Sequence, residues 1–191
     1  MKKIQFSDRY GLTEAVLSGR KTQTRRIIKL SDVEDYTADI AYAGKTWEAI
    51  EKSIIARHAK YKVGEVVAVA QCYCDFYDDA NDPRIFPSGA GWTNKMFVRA
   101  DLMPHQIRIT NVRVERLKEI SDDDCLREGI IKGMVGSEDT HFMDAYYVPN
   151  MPLEPHVFPQ GAYAALIDRI SGKGTWESNP WVFVYDFELA K

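Results

Sequence analysis

Lys21 and Thr24 stand three residues apart in the run SGRKTQTRRIIK, residues 18–29. A threonine hydroxyl is a weak nucleophile that needs a base, and a lysine amine is such a base once its pKa is depressed. Nearby cations and burial both depress it, because each disfavours the charged form. Arg20, Arg25 and Arg26 supply the cations. Geometry adds a condition. Residues three apart on an extended strand point to opposite faces, so Lys21 and Thr24 meet only if the chain turns after Gly19 or the lysine stem folds back. Without such a turn the run reads as a solvated charge cluster behind a helix. Glu128, one residue ahead of Gly129 at the end of another predicted helix, could orient the lysine or relay a proton. By spacing alone it is a surface helix residue.

Charge isolates the same run. The 191-residue chain has a net charge of −3, yet residues 18–29 carry +5 with no acid, leaving −8 elsewhere. Such a balance argues against an enveloping polyanion binder and for a local contact. An apolar fraction of 45% is enough for a real core. Three cysteines without regular spacing form no disulfide framework, and reduced thiols fit a cytoplasmic protein. The start MKKIQFSDRYG has no apolar leader and no run approaches membrane-spanning length, so no membrane is expected.

The elements that must position these residues follow from periodicity and punctuation. KKIQF reads as a first strand. Asp8 is placed to cap a helix to about Ser18, with Gly19 as its stop. Trp47, Ile50, Ile54 and His58 make one stripe of an amphipathic helix, with His58 packed on it. Val63–Gly64–Glu65 turns into a strand that carries Cys72 and Cys74 on one face as buried thiols. A loop follows over 78–93, and KMFVRA is a strand. QIRITNVRVERL is a long strand whose apolar phase slips at Thr110–Asn111, which predicts a bulge. Ser121 caps a helix with Asp124 at its third position. Residues 131–160 read as irregular, GAYAALIDRISG as a short helix, and PWVFVYDFELA as a strand apolar on both faces in its first half.

The other polar clusters are weaker. Cys72-x-Cys74 lacks the second pair that a zinc site needs, and the four histidines show no ligand spacing, so no metal and no cofactor is expected. No glycine-rich nucleotide loop, serine-hydrolase elbow or zinc-protease helix motif occurs. Trp92, Trp176, Trp181, Tyr73 and Tyr163 have the faces to stack a base, with core or rim packing as the ordinary alternative. Arg108, Asn111, Arg113 and Glu115 are placed to line one groove along the long strand.

Four segments, VLSGRKTQTRRIIK, YKVGE, RITNVRVERLKEISDDDCLREGI and NPWVFVYDFEL, occur in this order. Together they resemble the ASCH family of the PUA-like superfamily, in the longer form often encoded by phages and prophages. The G-R-K-T-x-T segment is the most specific part, and about half the chain is covered. The resemblance implies an α+β fold, a PUA-like small mixed β-barrel with flanking helices, in one domain over 1–191 with insertions near 30–60, 77–94 and 131–158. It implies an RNA or modified nucleoside ligand in a central cleft. A small bacterial relative in that family removes the acetyl group from 4-acetylcytidine with a Lys and a Thr of this motif and a Glu in the helix after a long strand. These correspond to Lys21 as base, Thr24 as nucleophile and Glu128 assisting. Where longer relatives carry R-E-x-W after YKVGE, this chain has Ala70-Gln71-Cys72-Tyr73. Ligand-binding candidates are therefore Arg20, Arg25, Arg26, Gln71, Tyr73, Arg108 and Arg113. A non-catalytic RNA- or DNA-binding module that uses residues 20–29 and the cleft is the alternative.

Overall fold

A computed structural model of the protein describes residues 1–29, 33, 44–78, 90–138, 141–151 and 153–190. The excursion expected over 30–44 and most of the loop expected over 78–93 lie outside the described residues. Among the described residues the fold is mixed α and β, built on a five-stranded sheet. Its order is β1 (Lys3–Ile4), β3 (Val66–Val69), β4 (Gln106–Arg116), β7 (Trp181–Ala190), β2 (Gln23–Ile27). Only the β1–β3 pair is parallel.

Strand β7 organises the sheet because it is paired on both edges and its residues Val182–Asp186 are buried without alternation. That pattern belongs to a strand covered on both faces. The phase slip in β4 is a register shift between Ile109 and Asn111, as its sequence predicts. The shift keeps Ile107, Ile109, Val112 and Val114 all turned into the core. The ladder is open between β1 and β2, and there the Arg26 Nη2 donates to the Gln5 carbonyl at 2.6 Å, just past β1.

Short helices cover this sheet. Helix α1 (Leu12–Leu17) begins behind Gly11 and not behind Asp8. The expected cap fails because the Asp8 carboxylate is taken by the Thr13 hydroxyl at 2.5 Å and the Lys95 amine at 2.7 Å. The C-terminal stop is where the sequence puts it, with Gly19 at φ 75° donating to the Val16 carbonyl. Helix α2 (Trp47–His58) buries Ile50 and Ile54 and stacks Trp47 on Trp181, whereas His58 at its end is exposed. Helix α3 (Asp122–Arg127) has the predicted cap, the Ser121 hydroxyl accepting from the Asp124 amide. Helix α4 (Pro159–Ser171) packs Ala162, Tyr163, Leu166 and Ile167 inward, and α5 (Thr175–Ser178) leads into β7.

Three expectations need correction. KMFVRA is not a strand: β1 already occupies that edge of β3, and the Lys3 amine takes the Met96 and Val98 carbonyls that a ladder would use. Residues 131–147 are not irregular but hold the hairpin β5 (Ile131–Val135) and β6 (Met143–Tyr147). Both of its faces are largely exposed, so the alternation that marks a half-buried strand is missing. Cys72 and Cys74 are not on a strand. A 3₁₀ turn over Tyr73–Asp75 follows Cys72, whose amide donates to the Asp75 carboxylate, and leaves Cys74 exposed.

Candidate active site

The turn after Gly19 is what brings Lys21 to Glu128. The Lys21 amide donates to the Ala15 carbonyl and the Thr22 amide to the Arg127 carbonyl, so the chain is pinned between the C-terminal ends of α1 and α3. The Lys21 side chain then runs inward. Its amine donates to the Glu128 carboxylate at 2.5 Å and to the Glu128 carbonyl at 2.7 Å. Arg20 is held nearby, its guanidinium donating to the Gly129 carbonyl at 2.7 Å. Cations suit these carbonyls, which face outward from a helix C-terminus. Lys21 is 2% exposed and Glu128 4% exposed, so the pair is buried, and Glu128 is not the surface residue its spacing suggests. Burial lowers the Lys21 pKa from its ordinary 10.5, Glu128 pulls it back up, and the charges of Arg26 and Arg25 lower it further.

Thr24 sits in β2 opposite Tyr185 and is buried. Its hydroxyl makes no hydrogen bond among the described residues. Lys21, Thr24 and Glu128 line one cleft of about 540 Å³. The amine and the hydroxyl do not bond each other there, since both Lys21 contacts go to Glu128. An unligated active site often shows its proton-transfer partners apart, to be closed by substrate. Tyr163 from α4 reaches the same cleft, buried, with its hydroxyl also free of hydrogen bonds among the described residues. Burial holds that phenol well above its ordinary value of 10, so it stays a donor. Phe6, Lys95 and the apolar side chains of Leu166 and Ile167 complete the walls.

Arg25 lines this cleft as well. Its side chain is fully buried, and its guanidinium meets Glu115 at 2.6 Å, Asp124 at 2.9 Å and Glu128 at 3.2 Å, and donates to the Gln23 side-chain amide oxygen at 2.5 Å. Gln23 in turn donates to Asp186 and Asp124. Arg113 bridges Glu115, Asp124 and Asp186 from β4, and Asn111 donates to Asp186. Arg25 and Arg113, both expected to contact ligand, are paired here with internal carboxylates.

The remaining candidates divide among other places. Arg26 lies at the cleft mouth. Arg108 lies beyond the bulge, facing Glu188 at 3.9 Å and not joined to Arg113, so the groove expected along β4 does not include it. Arg20 and Gln71 line a separate hollow near Cys72, and the Gln71 side-chain oxygen accepts from His105 Nδ1 at 2.7 Å. Tyr73 is core, with its hydroxyl accepting from the Arg99 amide. Cys125 is buried, which pushes its thiol up to about 12, so it offers no thiolate. Among the described residues no group of His, Cys, Asp or Glu is arranged to hold a metal ion. None of their helices is long and apolar enough to cross a membrane.

Sequence reasoning singled out Lys21, Thr24 and Glu128 but assigned no site role to Phe6, Lys95, Leu166 or Ile167. The α4 pair had a signal, the apolar three- and four-residue spacing of GAYAALIDRIS. Phe6 and Lys95 had none, being brought together by a contact 89 residues long in sequence.

Gly129 sets the approach of α3 to Lys21. It has φ 107°, and a β-carbon there would lie 3.2 Å from a Leu12 methyl and 3.7 Å from the Lys21 stem. Gly129→Ala is expected to destabilise the fold by about 1–2 kcal/mol, the scale of one L-residue forced to positive φ. The check is a lower denaturant midpoint at unchanged slope.

Comparison with family models, with curated proteins and with solved structures found no match to this chain.

Proposed function

We propose that this chain is an amidohydrolase of the ASCH, PUA-like type that removes an acyl group from a modified nucleoside such as 4-acetylcytidine. In this reading the curled five-stranded sheet is the small barrel of that fold, with Arg26 spanning its open seam. The observation that carries the proposal is the convergence on one cleft of a buried Lys21–Glu128 pair and a Thr24 hydroxyl with no hydrogen bond among the described residues.

A neutral lysine amine has two N–H bonds and one lone pair. Glu128 offers two acceptors to Lys21, its carboxylate and its carbonyl, and so can hold both N–H groups while the lone pair stays available. Lys21 then takes the Thr24 proton as the Thr24 oxygen bonds to the acyl carbon. The Tyr163 hydroxyl is a ready donor for the oxygen that becomes negative. Collapse breaks the C–N bond, and Lys21 returns its proton to the departing amine. Water, deprotonated by Lys21, then attacks the acyl-Thr24 ester, and the threonine oxygen leaves with that proton. The net change is amide plus water to carboxylic acid plus amine.

The test is release of cytidine from 4-acetylcytidine by the purified protein across a pH series. Turnover is expected to rise with pH as Lys21 loses its proton, with a midpoint below 10.5 because burial lowers that pKa. The same shift affects stability. The folded state holds fewer protons than the unfolded one between the folded-state pKa and 10.5, so the contribution of Lys21 to stability rises with pH across that window. Turnover that is absent, or that falls as pH rises toward 10, would count against Lys21 as base.

A phosphate track along 20–29, which the alternative reading needs, has few charges left to use. Of the five cations, Lys21 and Arg25 are buried against carboxylates and Arg20 is bound to a carbonyl. Arg26 and Lys29 remain at the surface.

A further inference from the structure

A second cavity, also of about 540 Å³, adjoins the Lys21 cleft and shares Gln5, Arg26 and Ile27 with it. Its described lining carries four cations, Lys3, Arg26, Lys29 and Lys60, and no carboxylate. Lys29 and Lys60 have no carboxylate partner among the described residues. Lys3 is held by backbone carbonyls at 2.6 and 2.7 Å, and its pKa is lowered by burial and by the charge of Lys60. Like charges therefore gather round a hollow in a protein whose net charge is −3. Its wall is aromatic. Tyr61 and Tyr185 meet edge to face with centroids 5.3 Å apart, and both hydroxyls are tied to backbone, so the rings are fixed.

This arrangement differs from the cleft next to it. The Lys21 cleft has its internal charges neutralised, whereas the second cavity has a surplus that an anion would relieve. The two hollows share Gln5, Arg26 and Ile27 as a common border, so groups seated in them would be neighbours. A cavity in the range of 300–1,000 Å³ suits a nucleotide-sized group.

We propose that the second cavity takes phosphate, so that the acylated base delivered to Lys21 and Thr24 belongs to a phosphorylated nucleotide unit and not to a neutral nucleoside. The proposal rests on the hydrolase reading for what lies in the first cleft. The phosphate is that of a free 5′-nucleotide or of a phosphodiester in RNA, which share their chemistry at Lys29, Lys60 and Arg26.

The experiment compares 4-acetylcytidine, its 5′-monophosphate and a short RNA carrying one such base, with the wild type and a Lys29→Glu/Lys60→Glu variant. Both positions are exposed, and a matching thermal midpoint checks that the variant folds. The wild type is expected to favour a phosphorylated substrate in kcat/KM by about tenfold or more, the scale of one charge-assisted hydrogen bond. In the variant the ratio is expected to fall toward one. Preference for the monophosphate identifies a free nucleotide, and preference for the oligomer with a steep salt dependence identifies RNA. A ratio near one in the wild type, or a ratio unchanged in the variant, overturns the proposal. If no substrate is hydrolysed, the hydrolase reading fails by itself, and binding of cytidine 5′-monophosphate followed by NMR decides the subsite. Binding weakened in the variant supports it, and absent or equal binding overturns it.

Discussion

Thr24→Ala is expected to abolish amide hydrolysis while leaving the fold almost intact. The hydroxyl bonds to nothing among the described residues, so its removal orphans no partner. What is lost from the folded state is one oxygen and one methyl, within about 1 kcal/mol. What is lost from the reaction is the nucleophile itself, and kcat should fall by about three orders of magnitude or more with little change in KM. Thr24→Ser should keep part of the activity, since it keeps the hydroxyl. Mass spectrometry of a quenched reaction should show one acyl group on the wild type and none on Thr24→Ala. An alanine variant that turns over within tenfold of the wild type would remove Thr24 from the mechanism.

Arg25→Leu should have the opposite profile, a stability effect first. The guanidinium joins Glu115, Asp124 and Glu128, and the leucine leaves those three carboxylates without their shared buried cation. Breaking a buried pair by deleting one partner costs about 3–5 kcal/mol. Arg25→Lys should recover little, because one ammonium cannot reproduce the planar fork. The deficit should depend on pH with a definite sign. Burial pushes Asp124 up, but Arg25 and Arg113 outweigh it and hold the acid below its ordinary 3.8. A carboxyl depressed in the folded state adds stability above its unfolded pKa, and that stability is lost as pH falls through the folded value. The gap between wild type and Arg25→Leu should therefore be widest near neutrality and narrow as pH falls below about 4. Equal denaturant midpoints at neutral pH would show that the network carries no such weight.

Much of the fold could be read because some local rules fixed local outcomes. The phase slip at Thr110–Asn111 became a register shift, Ser121 became a cap, and Gly19 became a turn, each decided by residues within a few positions. Two of the failures had nonlocal causes. KMFVRA had strand composition but no free edge to join. Asp8 had cap chemistry, but Thr13 and Lys95 took its carboxylate. At the site, the Lys21–Thr24 spacing stated a condition; the chain does turn after Gly19 and both residues line one cleft, but the Lys21 amine is bonded to Glu128 and not to Thr24. The fate of the arginines was not legible. Arg25 and Arg26 are neighbours in sequence, yet one is buried among carboxylates and the other is exposed at a cavity mouth. Strand alternation separates them, but which of the two faces inward depended on the acids supplied by β4 and α3.

The strand that carries Thr24 has one ladder partner, β7, and Gln23 meets Asp186 across 163 positions of chain. During synthesis the ribosome exposes Thr24 long before it exposes the strand that must hold it. At roughly 5–20 residues per second the wait is on the order of ten seconds. Until β7 emerges, Lys21 and Arg25, joined later by Glu128, have no complete sheet to bury them. The Lys21–Thr24–Glu128 cleft should thus be among the last parts of the molecule to assemble, and a nascent chain stalled short of β7 should be prone to chaperone capture.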